Sequence, residues 1–149
     1  MVGPGRLSAG RPVGYHVAMQ PEPVVIDERD REWTTWPEHQ AAERGGIWWK
    51  TLISGGLTPS AALALGVARV PPGAALEPHR HDQTEVYFVL TGAGELAVDG
   101  RTRRVQAGTA VYIPGGAVHS IACSGSDELC FAYVFGADST DDVVYDFDV

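Results

Sequence analysis

From residue 47 onward, apolar and polar residues alternate over short stretches, and glycine or proline interrupts each one. A period of two places successive side chains on opposite faces of an extended chain, so these stretches predict strands. They cover 47–53, 62–70, 85–91, 95–98, 101–105, 110–113, 118–122 and 129–135. Asp99-Gly100 is a two-residue hairpin signal between two of them. Pro71-Pro72-Gly73 and Pro114-Gly115-Gly116 read as turns. The one helical pattern is 37–44, with Pro37 at a first helical position. The stretch 24–36 would add an edge strand or a packing arm. Eight short strands at this spacing predict an all-β sandwich or barrel closed on itself. No internal repeat marks a second unit, so 23–149 is expected to be a single domain. Residues 1–22 open on a run rich in Gly, Pro and Arg and are expected to be disordered.

Charge narrows the partners. The 149 residues carry 19 acidic against 11 basic side chains, a net charge of -8. That balance argues against a nucleic-acid partner and against an anionic membrane surface. No run approaches the roughly 18 apolar residues of a membrane helix. Two cysteines, Cys123 and Cys130, are too few for a disulfide framework, so a reduced, cytoplasmic setting is expected. Five aspartates fall in the last twelve residues and surround Tyr145. Outside 143–147 this tail is expected to be a solvated end that aids solubility.

Chemistry concentrates at 73–92. His79, His81, Glu85, Tyr87 and Val89 share parity and would face one way. Val86, Phe88 and Leu90 would face the other, toward the layer between the sheets. A strand does not turn two imidazoles, a carboxylate and a phenol inward without a shared partner. His119 follows in a second Gly- and Pro-marked stretch. Three imidazoles and a carboxylate suit one divalent transition ion: Zn, Fe(II), Mn, Ni or Co. His16 and His39 fit no such pattern and read as solvated or loop histidines.

These two stretches resemble the two motifs of the cupin superfamily. Gly73 to Gly92 fits G-x5-H-x-H-x3-E-x6-G at every fixed position. Gly108, Pro114, Gly116 and His119 fit G-x5-P-x-G-x2-H-x3-N, with Cys123 where Asn is usual. The resemblance implies a small double-stranded β-helix, or jelly-roll, barrel with the metal inside, held by His79, His81, Glu85 and His119. The departure at Cys123 bears on local packing and not on the metal.

Within the superfamily the chain is similar to the cupin dimethylsulfoniopropionate lyases. Tyr87 matches a tyrosine two residues after the metal-binding Glu, and Tyr145 matches one near the C-terminus. Trp48-Trp49-Lys50 with the residues that follow, and the ending from Phe135 to Phe147, extend that likeness. It implies a lyase in which a tyrosine removes a proton beside a metal-held carboxylate. Arg69 and Lys50 are weaker candidates for binding a substrate anion. Other cupin chemistries stay open at this point: an Fe(II)-dependent dioxygenase, an isomerase, dehydratase or cyclase of secondary metabolism, or a non-enzymatic small-molecule binder. Trp33, Trp36, Trp48 and Trp49 supply apolar surface for a homodimer, or else plug one end of the barrel.

Overall fold

The structure is a computed structural model and describes residues 22–149. The disorder expected over 1–22 falls, apart from residue 22, outside the described residues. Among the described residues ten strands form: β1 (Thr34–Thr35), β2 (Trp48–Ile53), β3 (Ala64–Val70), β4 (Ala75–His79), β5 (Glu85–Thr91), β6 (Ala93–Val98), β7 (Arg101–Gln106), β8 (Ala110–Ile113), β9 (His119–Cys123) and β10 (Leu129–Phe135). A six-stranded sheet runs β1-β2-β3-β10-β5-β8, and a four-stranded sheet runs β4-β9-β6-β7. All pairings are antiparallel. This is the jelly-roll architecture that the cupin resemblance implies, within the all-β class that the strand spacing predicts.

The alternation explains the layers. Along β10, Leu129, Phe131, Tyr133 and Phe135 are buried, while the residues between them are half-buried. Val70, Val89, Leu96, Ile121, Leu129 and Phe131 are each under 5 % exposed. Burying side chains of this kind contributes about 1.5–3 kcal/mol each. Asp99 and Gly100 both take positive φ, at 46° and 74°, and turn β6 into β7. That left-handed pair matches the twist of the strands it joins. Gly66 on β3 meets a second need, because a Cβ there would collide with the Tyr133 hydroxyl and the Lys50 carbonyl.

Four expectations are corrected. Val86, Phe88 and Leu90 do not fill the layer between the sheets; Phe88 and Leu90 are 46 % and 45 % exposed. A closed barrel has one interior, and the polar parity set occupies it. β4 is a strand that the pattern did not announce, because Pro78 and the small residues before it hide the alternation. The short helix α1 (Glu38–Arg44) begins one residue later than expected, with Pro37 as its cap in extended backbone. The tryptophans do not act as one surface. Trp36 and Trp49 turn inward with ring centroids 4.6 Å apart. Trp33 and Trp48 instead lie over the Arg69 guanidinium, at 4.3 and 5.6 Å.

The C-terminal segment is pinned more tightly than a solvated tail. Gly55 N–H donates to the Asp138 carbonyl at 2.7 Å, and the Asp138 carboxylate accepts from Ala62 N–H at 2.7 Å. Ser139 and Asp142 form a reciprocal capping box around the 3-10 turn Thr140–Asp142. Beyond it, Asp146 and Arg80 pair as an isolated antiparallel bridge. Among the described residues, no helix is long and apolar enough to cross a membrane.

Candidate metal centre

Register brings the histidines together. His79, the last residue of β4, is the Cα partner of His119, the first residue of β9. Their ring centroids are 4.2 Å apart. His81 follows in the connection to β5, and Glu85 opens β5 on the facing sheet. The three imidazoles are buried, and their ligand atoms lie within 4.8 Å of one another. They could hold a metal ion.

The hydrogen bonds fix which nitrogen faces inward. Nδ1 of His79 donates to the Glu77 carbonyl at 2.8 Å, Nδ1 of His81 to Gln83 at 3.0 Å, and Nδ1 of His119 to Ala117 at 2.9 Å. A neutral ring that donates through Nδ1 presents Nε2 as a bare lone pair. Nε2 of His79 and of His119 is buried with no hydrogen-bond partner. The Glu85 carboxylate Oε2 stands 3.1 Å from His81 Nε2 and 3.2 Å from His119 Nε2, the second contact at an angle that makes no hydrogen bond. Lone pairs and a carboxylate at that separation repel unless protons or a cation lie between them. A divalent ion meets this need, and backbone acceptors behind ligand imidazoles are the usual support for one.

Burial, with the neighbouring His119 second, pushes His79 down to about 4 from its ordinary 6.5. Between those values the unfolded chain binds a proton that the folded chain refuses. The metal-free protein is therefore expected to lose stability as pH falls from about 6.5 to 4. The loss reaches roughly 3 kcal/mol at the lower end. Urea midpoints at pH 7 and pH 4.5 measure it; coincident midpoints contradict the assignment.

Beside the histidines lies a cavity of about 230 Å³. Its walls are largely aromatic: Trp36, Trp49, Tyr87, Tyr133, Phe135 and Tyr145. Thr51, Glu85, Thr140 and Asp141 add polar side chains to the tyrosine hydroxyls. The Tyr145 ring is 5.2 Å from His79 and 5.6 Å from His81, and Tyr87 is 6.3 Å from His119. Burial, and after it the Glu85 carboxylate, pushes both phenols well above their ordinary value. In the metal-free site both are protonated.

The structure thus brings together His79, His81, His119, Glu85, Tyr87 and Tyr145. Lys50 and Arg69 stand apart from the cavity, on the outer face of the six-stranded sheet. Lys50 pairs with Glu28 at 3.2 Å, and Arg69 lies 3.9 Å from Glu128. Their parity on β2 and β3 is opposite to that of Trp49, Thr51 and Ala68, which face in. Tyr133, Trp36, Trp49 and Asp141 are cavity residues that no motif marks. Alternation within β2 and β10 is the only signal that could have found Trp49 and Tyr133. Cys123 is buried, with its thiol donating to the Asp127 carbonyl at 3.2 Å.

Residues 66–135 match the cupin domain family (Cupin_2). The dimethylsulfoniopropionate lyase DddW of Ruegeria pomeroyi is 40% identical over 103 residues, which is 69% of this chain and 67% of that protein. An oxalate-binding protein of Thermotoga maritima is 28% identical over 66% of this chain and 84% of its own length. Among solved structures, the polyketide cyclase RemF of Streptomyces resistomycificus superposes with a TM-score of 0.68 at 21% identity, covering 80% of this chain and 82% of that one. The last likeness speaks to fold alone. With both motifs in register around a histidine cluster inside a jelly roll, the chain belongs to the cupin superfamily.

Proposed function

We propose that this cupin is a metal-dependent lyase that cleaves a small carboxylate-bearing substrate by β-elimination, with a tyrosine as the base. The observation that carries this reading is the convergence of two phenols, the buried Tyr87 and the half-buried Tyr145, on the histidine cluster within one cavity. The 40% identical relative is a lyase of dimethylsulfoniopropionate, a sulfonium carboxylate. A cavity of about 230 Å³ falls below the ~300–1,000 Å³ of drug-sized pockets and suits a metabolite of that size.

His79, His81 and His119, with Glu85 as fourth ligand, would hold one divalent ion from the group Zn, Fe(II), Mn, Ni and Co. Such an ion, when bound, supplies Lewis-acid stabilisation to a carboxylate and to negative charge developing beside it. The chain supplies the proton acceptor. One of the two tyrosines, as phenolate, takes the proton from the carbon next to the carboxylate. That C–H electron pair becomes the second bond of a C=C, and the bond from the β carbon to sulfur breaks with its pair. The products are an unsaturated carboxylate, a neutral sulfide and the protonated tyrosine.

The lining favours a substrate with positive charge remote from its carboxylate. Among the described residues, no Lys or Arg lines the cavity, and Asp141 stands in its wall. Of the tail acids, Asp138, Asp142 and Asp146 accept hydrogen bonds from the protein, whereas the Asp141 carboxylate has no partner among the described residues. The ring faces of Trp36, Trp49 and Tyr133 offer the π surface that onium groups favour.

Protein loaded with each candidate ion in turn is expected to cleave dimethylsulfoniopropionate, giving vinyl proton signals by NMR. Asp141→Asn is expected to raise KM about three- to tenfold for this zwitterion, whose sulfonium end it would face, with kcat little changed, as a contribution of roughly 1 kcal/mol implies. No vinyl product with any of the five ions overturns the lyase reading.

A further inference from the structure

Arg80 sits between two inward-facing histidines and itself points out. It pairs with Asp146, which sits in the same way between Tyr145 and Phe147. The backbones exchange two hydrogen bonds, Arg80 N–H to the Asp146 carbonyl at 3.0 Å and Asp146 N–H to the Arg80 carbonyl at 2.9 Å. On the outside, the Arg80 guanidinium meets one oxygen of the Asp146 carboxylate, Oδ2, donating to it through Nε at 2.8 Å with a terminal nitrogen 2.7 Å away, while Oδ1 accepts from the Asp148 N–H at 3.1 Å. On the inside, Tyr145 and Phe147 both lie with ring centroids 5.2 Å from His79. The outer ion pair and the inner ring stack are opposite sides of a single chain crossing. The crossing is short, because the segment forms no strand and meets the barrel here as one isolated bridge.

Two further ties frame the segment. Gln83 Nε2 donates to the Asp142 carbonyl at 3.0 Å, ahead of Tyr145. The Arg44 guanidinium lies 5.0 Å from the Phe147 ring and 5.0 Å from the Trp36 ring, behind it. Between those ties, Asp146 adjoins Tyr145 in the chain, and neither Asp146 nor Arg80 lines the cavity.

We propose that Arg80 is a positioning residue: by clasping Asp146 it sets the place of the Tyr145 hydroxyl over the histidine cluster, without touching substrate. An exposed ion pair adds little to global stability. Its effect here is local. The side-chain contact closes on one carboxylate oxygen just outside a two-hydrogen-bond backbone bridge and so holds the distance of the segment from the barrel, and displacing a reacting group by about 1 Å can cost a hundredfold in rate. The inference rests on the reading of Tyr145 as part of the elimination machinery.

The test uses full-length, metal-loaded protein carrying Arg80→Ala, Asp146→Asn, Arg80→Lys or the swapped pair Arg80→Asp with Asp146→Arg. Asp146→Asn leaves the metal motif untouched, which guards against a disturbance peculiar to the residue between two ligands. Both single deletions of the pair are expected to lower kcat about ten- to a hundredfold, with KM and metal content nearly unchanged. Arg80→Lys, charged but single-pronged, should fall between them and the parent, and the swapped pair should recover most of the loss. Hydrogen exchange at the Asp146 amide should speed up at least tenfold in both deletions, a readout independent of any activity. Unchanged exchange and kcat overturn the proposal, and so does a kcat loss that tracks metal loss. If the parent protein shows no lyase activity, the elimination reading fails, and the exchange result then decides the clasp alone.

Discussion

Replacing Tyr145 by phenylalanine is expected to cut turnover by about 10²- to 10⁴-fold, the range for loss of a positioned acid or base. The substitution removes one oxygen and keeps the ring. That ring packs at 5.6 Å against Trp36, 6.5 Å against Phe135 and 6.1 Å against Phe147, so the segment should stay seated and the metal bound. The same substitution at Tyr87 keeps its contact with Phe131, 4.5 Å away. In the metal-free site both phenols are held well above their ordinary value by burial and by Glu85, and a divalent ion held beside them would act in the opposite sense, toward the phenolate. The reactive form of the base is the phenolate, whose fraction grows with pH. For the parent, kcat should therefore rise from neutral toward alkaline pH. The rising limb should vanish in the variant that lacks the base and persist in the other. Each variant is assayed beside its metal content over one pH series. Full turnover in both would remove tyrosine from the mechanism.

The sequence was informative where two periodicities agreed. The parity of His79, His81, Glu85 and Tyr87 named the wall of the site, and His79 and His119 meet because their strands pair in register. The sense of that parity was not legible from the strand alone. In an amphipathic strand the apolar face ordinarily turns inward, and here Phe88 and Leu90 are on the outside. The cost of enclosing the polar set is offset by mutual contact and by backbone acceptors at Glu77, Gln83 and Ala117, none of which a linear pattern reveals. Lys50 and Arg69 failed as cavity residues for a related reason. Charge drew attention to them, while their alternation with Trp49 and Ala68 already placed them on the outer face. The tail was the hardest segment to read. Its aspartates look like solubilising charge, yet Asp138, Asp142 and Asp146 each hold a hydrogen bond whose partner is a backbone N–H or a guanidinium. The partners of Asp138 and Asp146 lie 76 and 66 residues away in sequence, beyond the reach of any local signal, whereas Asp142 closes a local box with Ser139.

The second large effect concerns the ligand set itself. His119→Ala is expected to abolish near-stoichiometric metal binding and, with it, lyase turnover. His119 is 1 % exposed, so alanine leaves a void in which no other side chain can offer a nitrogen. The substitution also strands the Glu85 carboxylate, 3 % exposed, with one imidazole contact in place of two. A buried carboxylate short of partners is costly, and it tends to take up a proton in preference to remaining charged. The parent should gain stability from an ion that binds only the folded state. At a hundredfold excess over Kd the gain is about 2.7 kcal/mol. For a chain of this size that raises Tm by roughly 5–10 °C. Melting curves of parent and variant, with and without each divalent ion and after chelation, give the comparison directly. The parent's Tm should rise with a metal of the borderline group and fall back on chelation, while the variant's stays flat. A parent whose Tm and metal content ignore every ion would show that the three Nε2 lone pairs around Glu85 are satisfied by protons, and the cluster would then be a buried acid–base network.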